Sequence, residues 1–313
     1  MDNRIIEITS DGIYLSALKG FLLITKDGKE LGRVGLPDIG ALIVRGHGAT
    51  ISLNLVTRLA DSNIPLVLCG PDQSPASIVW PLKGHHNQGH IIENQSQLSK
   101  PQKKRIWQTL ISAKITAQAQ ALDAEGLKCS DLYEMAKRVL SGDPDNQEAT
   151  AARKYWPRMI RSISPNFRRD QSDNGINNWL NYGYAVLRAS TARSILSAGL
   201  HPSLSIYHKS RGEALRLTSD LMEPFRPWID LSVRRLIIQD SLDGDILFPE
   251  LNPSQKSTIV KTLSLDLKGP YGASPLQTCI DRLCKSLASI CMNEGRKLEL
   301  PKGLFINKDS TKV

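Results

Sequence analysis

The chain of 313 residues lacks several features that define common classes of protein. Its five cysteines are an odd number without a Cys-x-x-Cys pair, which argues against a disulfide framework and a zinc ribbon. No apolar run approaches the roughly 18 residues of a membrane span. The first thirty residues contain no apolar segment of the signal-peptide type. We therefore expect an intracellular, cytoplasmic protein with free thiols.

The sequence also lacks the short motifs of several enzyme families. It has no glycine-rich phosphate loop, no Gly-x-Ser-x-Gly nucleophile elbow and no dinucleotide-binding fingerprint. With 41% hydrophobic and 23% charged residues, the chain can nevertheless bury a sizeable core, and its length predicts about two domains.

Basic residues outnumber acidic ones, but only in the second part of the chain. Residues 1–95 hold 8 Lys and Arg against 9 Asp and Glu, whereas residues 148–235 hold 14 against 7. A concentrated basic balance is typical of proteins that bind nucleic acid. A generally basic protein without such a partner is the alternative that charge leaves open. The first long predicted helix has a basic start that could contact a phosphate backbone, made of Lys103, Lys104 and Arg105.

Apolar patterning predicts an α+β fold with two parts. Residues 1–84 contain six short apolar runs separated by glycine-containing turn signals, with one amphipathic helix around residues 52–63. Residues 85–102 are polar and rich in turn formers, which indicates a linker. Over residues 103–313 the apolar residues follow the helical period of 3.6. We expect a small β-rich domain, the linker and a larger all-α domain.

The stretch DNQEATAARKYW, residues 145–156, contains one carboxylate among small side chains. Residues 143–146 are typical of a helix start, so Glu148 is expected in the first or second turn. Ala151 and Ala152 follow three and four residues later and share its face of the helix. A carboxylate beside so small a surface leaves room for a metal ion or a phosphate backbone. The other interpretation is a surface glutamate that favours the helix dipole.

A second polar group lies in residues 198–228. His208 follows a predicted helix end and is expected in a loop, where functional side chains are often presented. Asp220 and Glu223 are three residues apart and project from one face of a helix. Two carboxylates near a histidine suit Mg²⁺ or Mn²⁺ better than Zn²⁺. The structural alternative pairs Asp220 with Arg216, four residues earlier, and leaves His208 to serve its turn.

Four motifs in this order resemble those of one family, the CRISPR-associated adaptation integrases. Residues 145–156 look like its glutamate motif, and NNWLNYGYAVLRA, residues 177–189, looks like its asparagine-rich helix. AGLHPSLSIYH, residues 198–208, ends in its histidine, and RLTSDLMEPFRP, residues 216–227, carries its acidic pair. The resemblance covers about residues 1–295 and includes the order of β-rich and helical parts. The acidic motif is most similar to members found beside type II CRISPR effector nucleases.

The resemblance implies a role for each motif residue. Glu148 matches the family's catalytic glutamate, His208 its metal-binding histidine and Glu223 its second acidic ligand, which is aspartate in many members. Asp220 matches a further acidic position close to the metal. Which acid binds the ion directly stays open, with Glu223 ranked above Asp220. Arg153, Asn181 and Arg226 match family positions near the site and are given a supporting role. The residues themselves, and not the resemblance, suggest DNA contact for Lys154, Lys103, Lys104 and Arg105, with a solvated helix face as the alternative for the last three.

The resemblance also implies an activity and partners. The helical domain would be the catalytic domain of a metal-dependent DNA endonuclease and integrase that inserts spacers into a CRISPR array. A DNA 3′-hydroxyl would attack a phosphodiester at the end of a repeat, with Mg²⁺ or Mn²⁺ polarising the phosphate. The implied partners are protospacer and repeat double-stranded DNA, a second copy joined through the β-rich domain, the small adaptation subunit in a heterohexamer, and the type II effector nuclease.

Two other functions are compatible with the same residues. One is a metal nuclease that cleaves branched DNA without joining strands. The other is a non-catalytic helical scaffold that binds DNA and uses its acidic residues in surface ion pairs. Strand-transfer product that requires Glu148 and His208 would distinguish the integrase from both.

Overall fold

A computed structural model describes residues 4–62, 64–70, 75–79, 87–170, 175–210, 213–242 and 251–305. Parts of the predicted linker and the C-terminal end of the predicted helical domain lie outside the described residues. The fold is α+β, with a strand-rich N-terminal region followed by a mainly helical region. In the described part of the chain, no helix is long and apolar enough to cross a membrane.

In its described residues, the strand-rich region contains two four-stranded sheets and one α-helix. One sheet has the strand order β4-β3-β2-β6, and the other has β1-β5-β7-β8 with β8 antiparallel to β7. Leu15, Leu22, Leu42 and Leu55 are fully buried in the core of this region. The elements are β1 (Arg4–Ile8), β2 (Tyr14–Leu18), β3 (Phe21–Lys26), β4 (Lys29–Gly35), β5 (Ile39–Val44), β6 (Thr50–Ile51), α1 (Leu53–Asp61), β7 (Leu66–Cys69) and β8 (Pro75–Val79).

The predicted β-rich start of the chain is confirmed. The six apolar runs correspond to β1, β2, β3, β5, β7 and β8, and the amphipathic helix to α1. Strand β4, KELGRVG, contains no apolar run, so the sequence pattern did not predict it. It lies at the edge of its sheet, and its first three side chains are exposed, so packing does not require an apolar alternation there.

The helical region is built around the long helix α3. Trp107, Leu110, Ile111 and Ile115 of that helix are buried in the core of the region. The elements are α2 (Gln88–Ser96), α3 (Lys100–Asp123), α4 (Ser130–Lys137), α5 (Gln147–Trp156), α6 (Ile176–Ser197), α7 (Arg216–Met222), α8 (Arg226–Leu242), α9 (Pro253–Lys261), β9 (Asp266–Gly269), β10 (Gly272–Pro275) and α10 (Leu276–Cys291). A π-helical turn at Pro157–Arg161 continues α5, and a 3₁₀ turn at Glu223–Phe225 joins α7 to α8.

The prediction of an all-α second part is wrong in one respect. Strands β9 and β10 form an antiparallel hairpin in front of α10. Leu267 of β9 is fully buried in the helical core and forms a β-bridge with Leu304. The hairpin is stabilised by this packing, since four-residue strands have little stability of their own.

The segment predicted as a linker, residues 85–102, packs against the helical region in its described part. It contains α2 and the first residues of α3. Ile91 is buried in the helical core, and Gln95 Nε2 donates to the carbonyl oxygens of His201 at 3.1 Å and Leu204 at 2.9 Å. The polar composition that suggested a linker therefore belongs to a helix held by tertiary hydrogen bonds.

Candidate active site

The first turn of α5 is fixed by two capping side chains. Asp143 accepts hydrogen bonds from Gln147 N at 2.8 Å and from Glu148 N at 3.1 Å. Asn146 Oδ1 accepts from Ala149 N at 3.3 Å. Asp143 and Asn146 both have a φ of 49°, a conformation that Asp and Asn tolerate better than most residues. The predicted helix start is confirmed, and Glu148 lies in the first turn.

Lys114 of α3 joins two of the predicted acidic residues. Its Nζ lies 2.5 Å from Glu148 Oε1 and 2.5 Å from Glu223 Oε2, so the two carboxylate oxygens are at most twice that distance apart. Arg226 Nε lies 3.1 Å from Glu223 Oε1. The side chains of Lys114 and Glu223 are only 13% and 5% exposed. Two carboxylates and two cations therefore form one largely buried, charge-balanced network.

The network favours the charged forms of Lys114 and Glu223. Burial by itself lowers the pKa of Lys114, but the charges of Glu223 and Glu148 outweigh burial and raise that pKa. Burial by itself raises the pKa of Glu223, but Lys114 and Arg226 outweigh it and lower that pKa. A buried charge is stable only when it is paired in this way.

Asp220 organises the loop that presents His208. Its carboxylate is fully buried and accepts hydrogen bonds from Ile206 N at 2.6 Å, Tyr207 N at 3.1 Å and His208 N at 3.1 Å. His208 Nδ1 lies 2.6 Å from Asp220 Oδ1. The hydrogen bond to Asp220 is the largest cause that raises the pKa of His208. With Nδ1 held, Nε2 is the ring nitrogen left for a cation or a substrate.

These contacts bear on both interpretations of Asp220, the helix ion pair and the metal ligand. In the described residues no ion pair joins Asp220 to Arg216, so the predicted helix pair is not formed. The two oxygens of Asp220 instead take part in four contacts with the backbone and ring around His208. A carboxylate has about four acceptor positions, so Asp220 has little capacity left for the direct metal contact predicted for it.

The donor set fits a divalent cation at the Lys114 position. Within the described ranges, no three His, Cys, Asp or Glu side chains are already close enough together to hold a metal ion. Glu148 and Glu223 nevertheless converge on one cation, the Lys114 ammonium. Mg²⁺ is commonly held by one or two carboxylates together with water. Two carboxylates therefore suit Mg²⁺ or Mn²⁺ here, while His208 lies outside the immediate pair.

A cavity of about 240 Å³ adjoins the ion-pair network. Asn181 Oδ1 accepts from Arg169 Nη2 at 2.8 Å. The guanidinium groups of Arg169 and Arg226 lie 5.4 and 4.9 Å from the centre of the Tyr184 ring. The predicted supporting residues Asn181 and Arg226 thus lie beside the candidate site. The residues that line the cavity include Lys114, Gln118, Arg169, Tyr184, Arg226 and Asp230.

Asp230 ties together three helices behind the site. Its carboxylate accepts from Tyr155 Oη at 2.9 Å and from Tyr184 Oη at 2.5 Å. Burial raises the pKa of Asp230 to about 6, although both tyrosine hydrogen bonds oppose the increase. Because α5, α6 and α8 each supply one of these residues, the network fixes the helices that carry the site.

The remaining predicted residues lie away from the two carboxylates. Arg153 is exposed and donates to Thr150 Oγ1 at 3.1 Å. Lys154 Nζ lies 3.2 Å from Asp131, which Arg158 also contacts at 2.6 Å, so Lys154 joins α5 to α4. The basic helix start is ten residues before Lys114, about 15 Å along α3. It comprises Lys103, Lys104 and Arg105.

Lys114 and Arg169 were not among the residues singled out by sequence. Lys114 is the one charged residue between positions 106 and 122 of the apolar helix pattern. A lone charge inside an amphipathic stripe signals a buried partner, and that signal could have identified it. Arg169 lies in a basic loop without comparable context, so its contact with Asn181 has no sequence signature.

A family model and a curated relative both identify the same protein family. A family model described as CRISPR associated protein Cas1 matches residues 6–247. The chain is 32% identical over 298 residues to the CRISPR-associated endonuclease Cas1 of Neisseria meningitidis, covering 94% of this chain and 95% of the relative.

Solved structures resemble the fold over nearly the whole chain. A casposase bound to integration product has a TM-score of 0.79 at 22% identity and covers 99% of this chain and 97% of its own. A chain of a Cas6-RT-Cas1–Cas2 complex has a TM-score of 0.72 at 18% identity and covers 94% of this chain and 35% of its own. At these identities the two structures demonstrate a shared fold.

Proposed function

Because the chain belongs to the Cas1 family of CRISPR-associated proteins, we propose that it is a metal-dependent DNA integrase that inserts spacers into a CRISPR array. In the proposed reaction a DNA 3′-hydroxyl attacks a phosphodiester at the end of a repeat. A new phosphodiester bond forms to the incoming strand while the original P–O3′ bond breaks and leaves a 3′-hydroxyl on the cut strand. The observation that carries the proposal is the convergence of Glu148 and Glu223 on one cation position. The imidazole of His208, oriented by Asp220, is the third proposed group.

Three side chains are proposed to hold Mg²⁺ or Mn²⁺. Glu148 and Glu223 supply carboxylate oxygens, and His208 supplies Nε2. Asp220 acts on His208 rather than on the metal, because a carboxylate at the second ring nitrogen fixes the tautomer and orientation of a ligating imidazole. When bound, the cation would polarise the scissile phosphate and stabilise its developing negative charge.

The basic side chains around the carboxylates are proposed to bind the phosphate. Arg226 and Arg169 line the adjoining cavity, where low exposure strengthens their attraction for an anion. The basic segment at residues 148–235 is proposed to hold the DNA backbone without reading the sequence, and Lys103, Lys104, Arg105 and Arg153 extend that surface.

The partners follow from family membership as proposals. Residues 1–84 are proposed to join two copies and residues 103–313 to carry catalysis. Residues 85–102 are proposed to connect the two parts, with α2 packed against the helical one. The Cas1-containing structural neighbour is described as a complex with Cas2, and we propose a Cas2 subunit for this chain, in a heterohexamer that binds protospacer and repeat DNA. Association with a type II effector nuclease is proposed from the wording of the acidic motif.

A strand-transfer assay tests the function. The purified chain is incubated with the small adaptation subunit, a protospacer ending in a 3′-hydroxyl, a plasmid that contains the repeat, and Mg²⁺ or Mn²⁺. We expect joined product from the wild type and a loss of at least about 100-fold in Glu148→Gln, Glu223→Gln and His208→Ala. Glu134→Gln, which alters an exposed glutamate of α4, is the matched control and should retain activity.

Other outcomes would support the other functions. Metal-dependent cleavage without joined product would favour a nuclease of branched DNA. DNA binding without any turnover would favour a scaffold. Full activity in both Glu148→Gln and His208→Ala would refute the assignment of the site.

A further inference from the structure

Lys114 lies at the point where the two proposed carboxylate ligands converge. Its Nζ is 2.5 Å from Glu148 Oε1 and 2.5 Å from Glu223 Oε2. A Mg²⁺ ion held by the same oxygens would lie about 2.0–2.1 Å from each. The ammonium group and a divalent ion therefore cannot share this space, and their like charges would repel strongly in so little exposed a position.

Charge balance also favours replacement of the Lys114 ammonium by a divalent ion over binding of the ion beside it. Glu148 and Glu223 carry two negative charges, and Lys114 and Arg226 carry two positive charges. A divalent ion added to this neutral group would leave two uncompensated positive charges at a poorly solvated site. Movement of the Lys114 ammonium away from the two carboxylates lowers its repulsion of the ion, and Asp230 lines the adjoining cavity together with Arg169 and Arg226.

The structure contains a place for the displaced ammonium. Lys114 and Gln118 both line the cavity of about 240 Å³ next to the network. Gln118 lies one helical turn after Lys114 on α3, and side chains four residues apart are neighbours on a helix. Gln118 is buried, and its Oε1 has no hydrogen-bond partner. A buried acceptor without a donor is unfavourable, so this oxygen would gain from an arriving ammonium.

We propose that Lys114 is an exchangeable internal cation with two positions. In the metal-free protein its ammonium holds Glu148 and Glu223 together. When a divalent ion binds, the ammonium moves into the cavity and donates to Gln118 Oε1. The inference rests on the proposed function, because it requires the metal to bind these two carboxylates.

The exchange has two consequences for the site. The carboxylates stay close together without metal, because Lys114 offsets their mutual repulsion. A monovalent ion carries no more charge than the ammonium it would replace, so Na⁺ or K⁺ has no electrostatic advantage over Lys114. The site therefore discriminates by charge before it discriminates by coordination geometry.

Mn²⁺ binding to the full chain without DNA, measured by electron paramagnetic resonance, tests the exchange. Lys114→Met removes the competing charge at similar length, and we expect it to bind Mn²⁺ about tenfold more tightly than the wild type. Gln118→Leu removes the oxygen that would accept a hydrogen bond from the displaced ammonium, so it should weaken Mn²⁺ binding when Lys114 is present. The same Gln118→Leu change should have no effect when combined with Lys114→Met. Equal or weaker Mn²⁺ binding by Lys114→Met would overturn the proposal.

A measurement on the native sequence covers the case in which Lys114→Met does not fold. Lys114→Gln is the second variant. The lysine side-chain methylene signal that is present in the NMR spectrum of the wild type and absent from that of Lys114→Gln belongs to Lys114. Titration of the wild type with Mg²⁺ should shift this resonance to saturation, whereas Na⁺ should not. A Lys114 resonance that stays unchanged at saturating Mg²⁺ would overturn the exchange.

The same experiments separate this inference from the proposed function. If Glu148→Gln and Glu223→Gln bind Mn²⁺ as well as the wild type does, the metal does not use these carboxylates, and both proposals fail. If Mn²⁺ binding requires both carboxylates but Lys114→Met binds no more tightly, only the exchange fails.

Discussion

At the residue scale, Asp230 is a buried carboxylate with a raised pKa. Burial moves this pKa from the ordinary 3.8 to about 6. Between these values the folded protein binds more protons at Asp230 than the unfolded chain does, so the contribution of Asp230 to stability falls as pH rises from about 4 to about 6. The total change is about 3 kcal/mol at 1.36 kcal/mol per pKa unit.

Asp230→Asn removes this titration. The free energy of unfolding of the wild type relative to Asp230→Asn should decrease by about 3 kcal/mol between pH 4 and pH 6 and stay constant above about pH 7. Urea unfolding at a series of pH values measures the difference. Parallel stability curves for the two proteins across this range would show that the pKa of Asp230 is not raised.

The pKa of His208 is raised by its hydrogen bond with Asp220, so its protonation should affect metal binding. Its hydrogen bond with Asp220 raises the pKa above 6.5, and only the neutral imidazole binds a metal. Mn²⁺ affinity should therefore increase with pH through a midpoint above 6.5. Protonated His208 stabilises the fold below 6.5, and that contribution is lost as pH rises through the raised pKa, so stability and metal affinity change in opposite directions.

NMR titration of the histidine rings in the metal-free protein measures the pKa of His208, and Mn²⁺ binding at a series of pH values then shows whether the affinity follows this titration. His201 is an internal control, because burial lowers its pKa, and its midpoint should fall below that of His208. His208→Gln should abolish the pH dependence of Mn²⁺ affinity that belongs to this ring. A His208 midpoint at or below 6.5 would contradict the role given to Asp220.

The residues of the candidate site that belong to a sequence motif were predictable. The residues whose position depends on contacts between distant parts of the chain were not. Glu148 and His208 stand in recognisable stretches, and the structure brings Glu148 and Glu223 to one cation. The task of Asp220 was not predictable, because its partners are backbone N–H groups twelve to fourteen residues away. Lys114 was missed because its partners lie 34 and 109 positions further along the chain.

At the element scale, the close approach of α6 and α8 depends on Gly183. A Cβ at this position would lie 3.1 Å from Ile259 Cγ2 and closer still to Ile229 Cγ2. Gly183→Ala should therefore destabilise the protein by about 1–3 kcal/mol through overpacking, despite the better helix propensity of alanine. Chemical denaturation measures the loss.

A matched glycine and a compensating change test the explanation. Gly89 of α2 has no atom within 4 Å of a built Cβ, so Gly89→Ala should leave stability unchanged or raise it slightly. Ile229→Ala removes the methyl group that a Cβ at position 183 would meet first, and it should relieve part of the cost of Gly183→Ala. Strictly additive losses in the double variant would argue against a steric origin.

The elements themselves divide by how they are stabilised. Helices α3, α6 and α10 carry long apolar stripes, and they lie in the part of the chain where the apolar residues predict helices. Strands β4, β9 and β10 are short or polar, and they form because a neighbouring strand or the helical core holds them. The apolar stripes of these helices can be read from the local sequence. The positions of these strands cannot, because the contacts that hold them form only when the chain folds.

At the scale of the whole molecule, the strand-rich region is joined to the helix that carries part of the site. Tyr182 Oη of α6 donates to Glu7 Oε2 at 2.7 Å, and Ile43 and Val67 pack against Ala189. Helix α6 also supplies Asn181 and Tyr184 beside the cavity. The proposed dimerisation through the strand-rich region would therefore fix the distance between the two candidate sites of a dimer.

The outer face of the β4-β3-β2-β6 sheet is the surface that we expect to join two copies. Tyr14, Leu18 and Phe21 lie on this face with 45%, 52% and 42% of their surfaces exposed, while Leu15 points into the core. Adjacent exposed apolar side chains of this size commonly mark a protein interface. The face carries no residue of the candidate active site, so its disruption should leave the metal site intact.

The double substitution Leu18→Lys and Phe21→Lys tests this surface. Both side chains are exposed, so the fold should persist, but two added charges on each copy should repel and shift the sedimentation coefficient from dimer to monomer. Leu53→Lys is the matched control, since Leu53 of α1 is 79% exposed and lies outside this sheet. The monomeric variant should retain Mn²⁺ binding and lose paired insertion at the two repeat ends. A dimer that survives the double substitution would place the interface on another surface of the molecule.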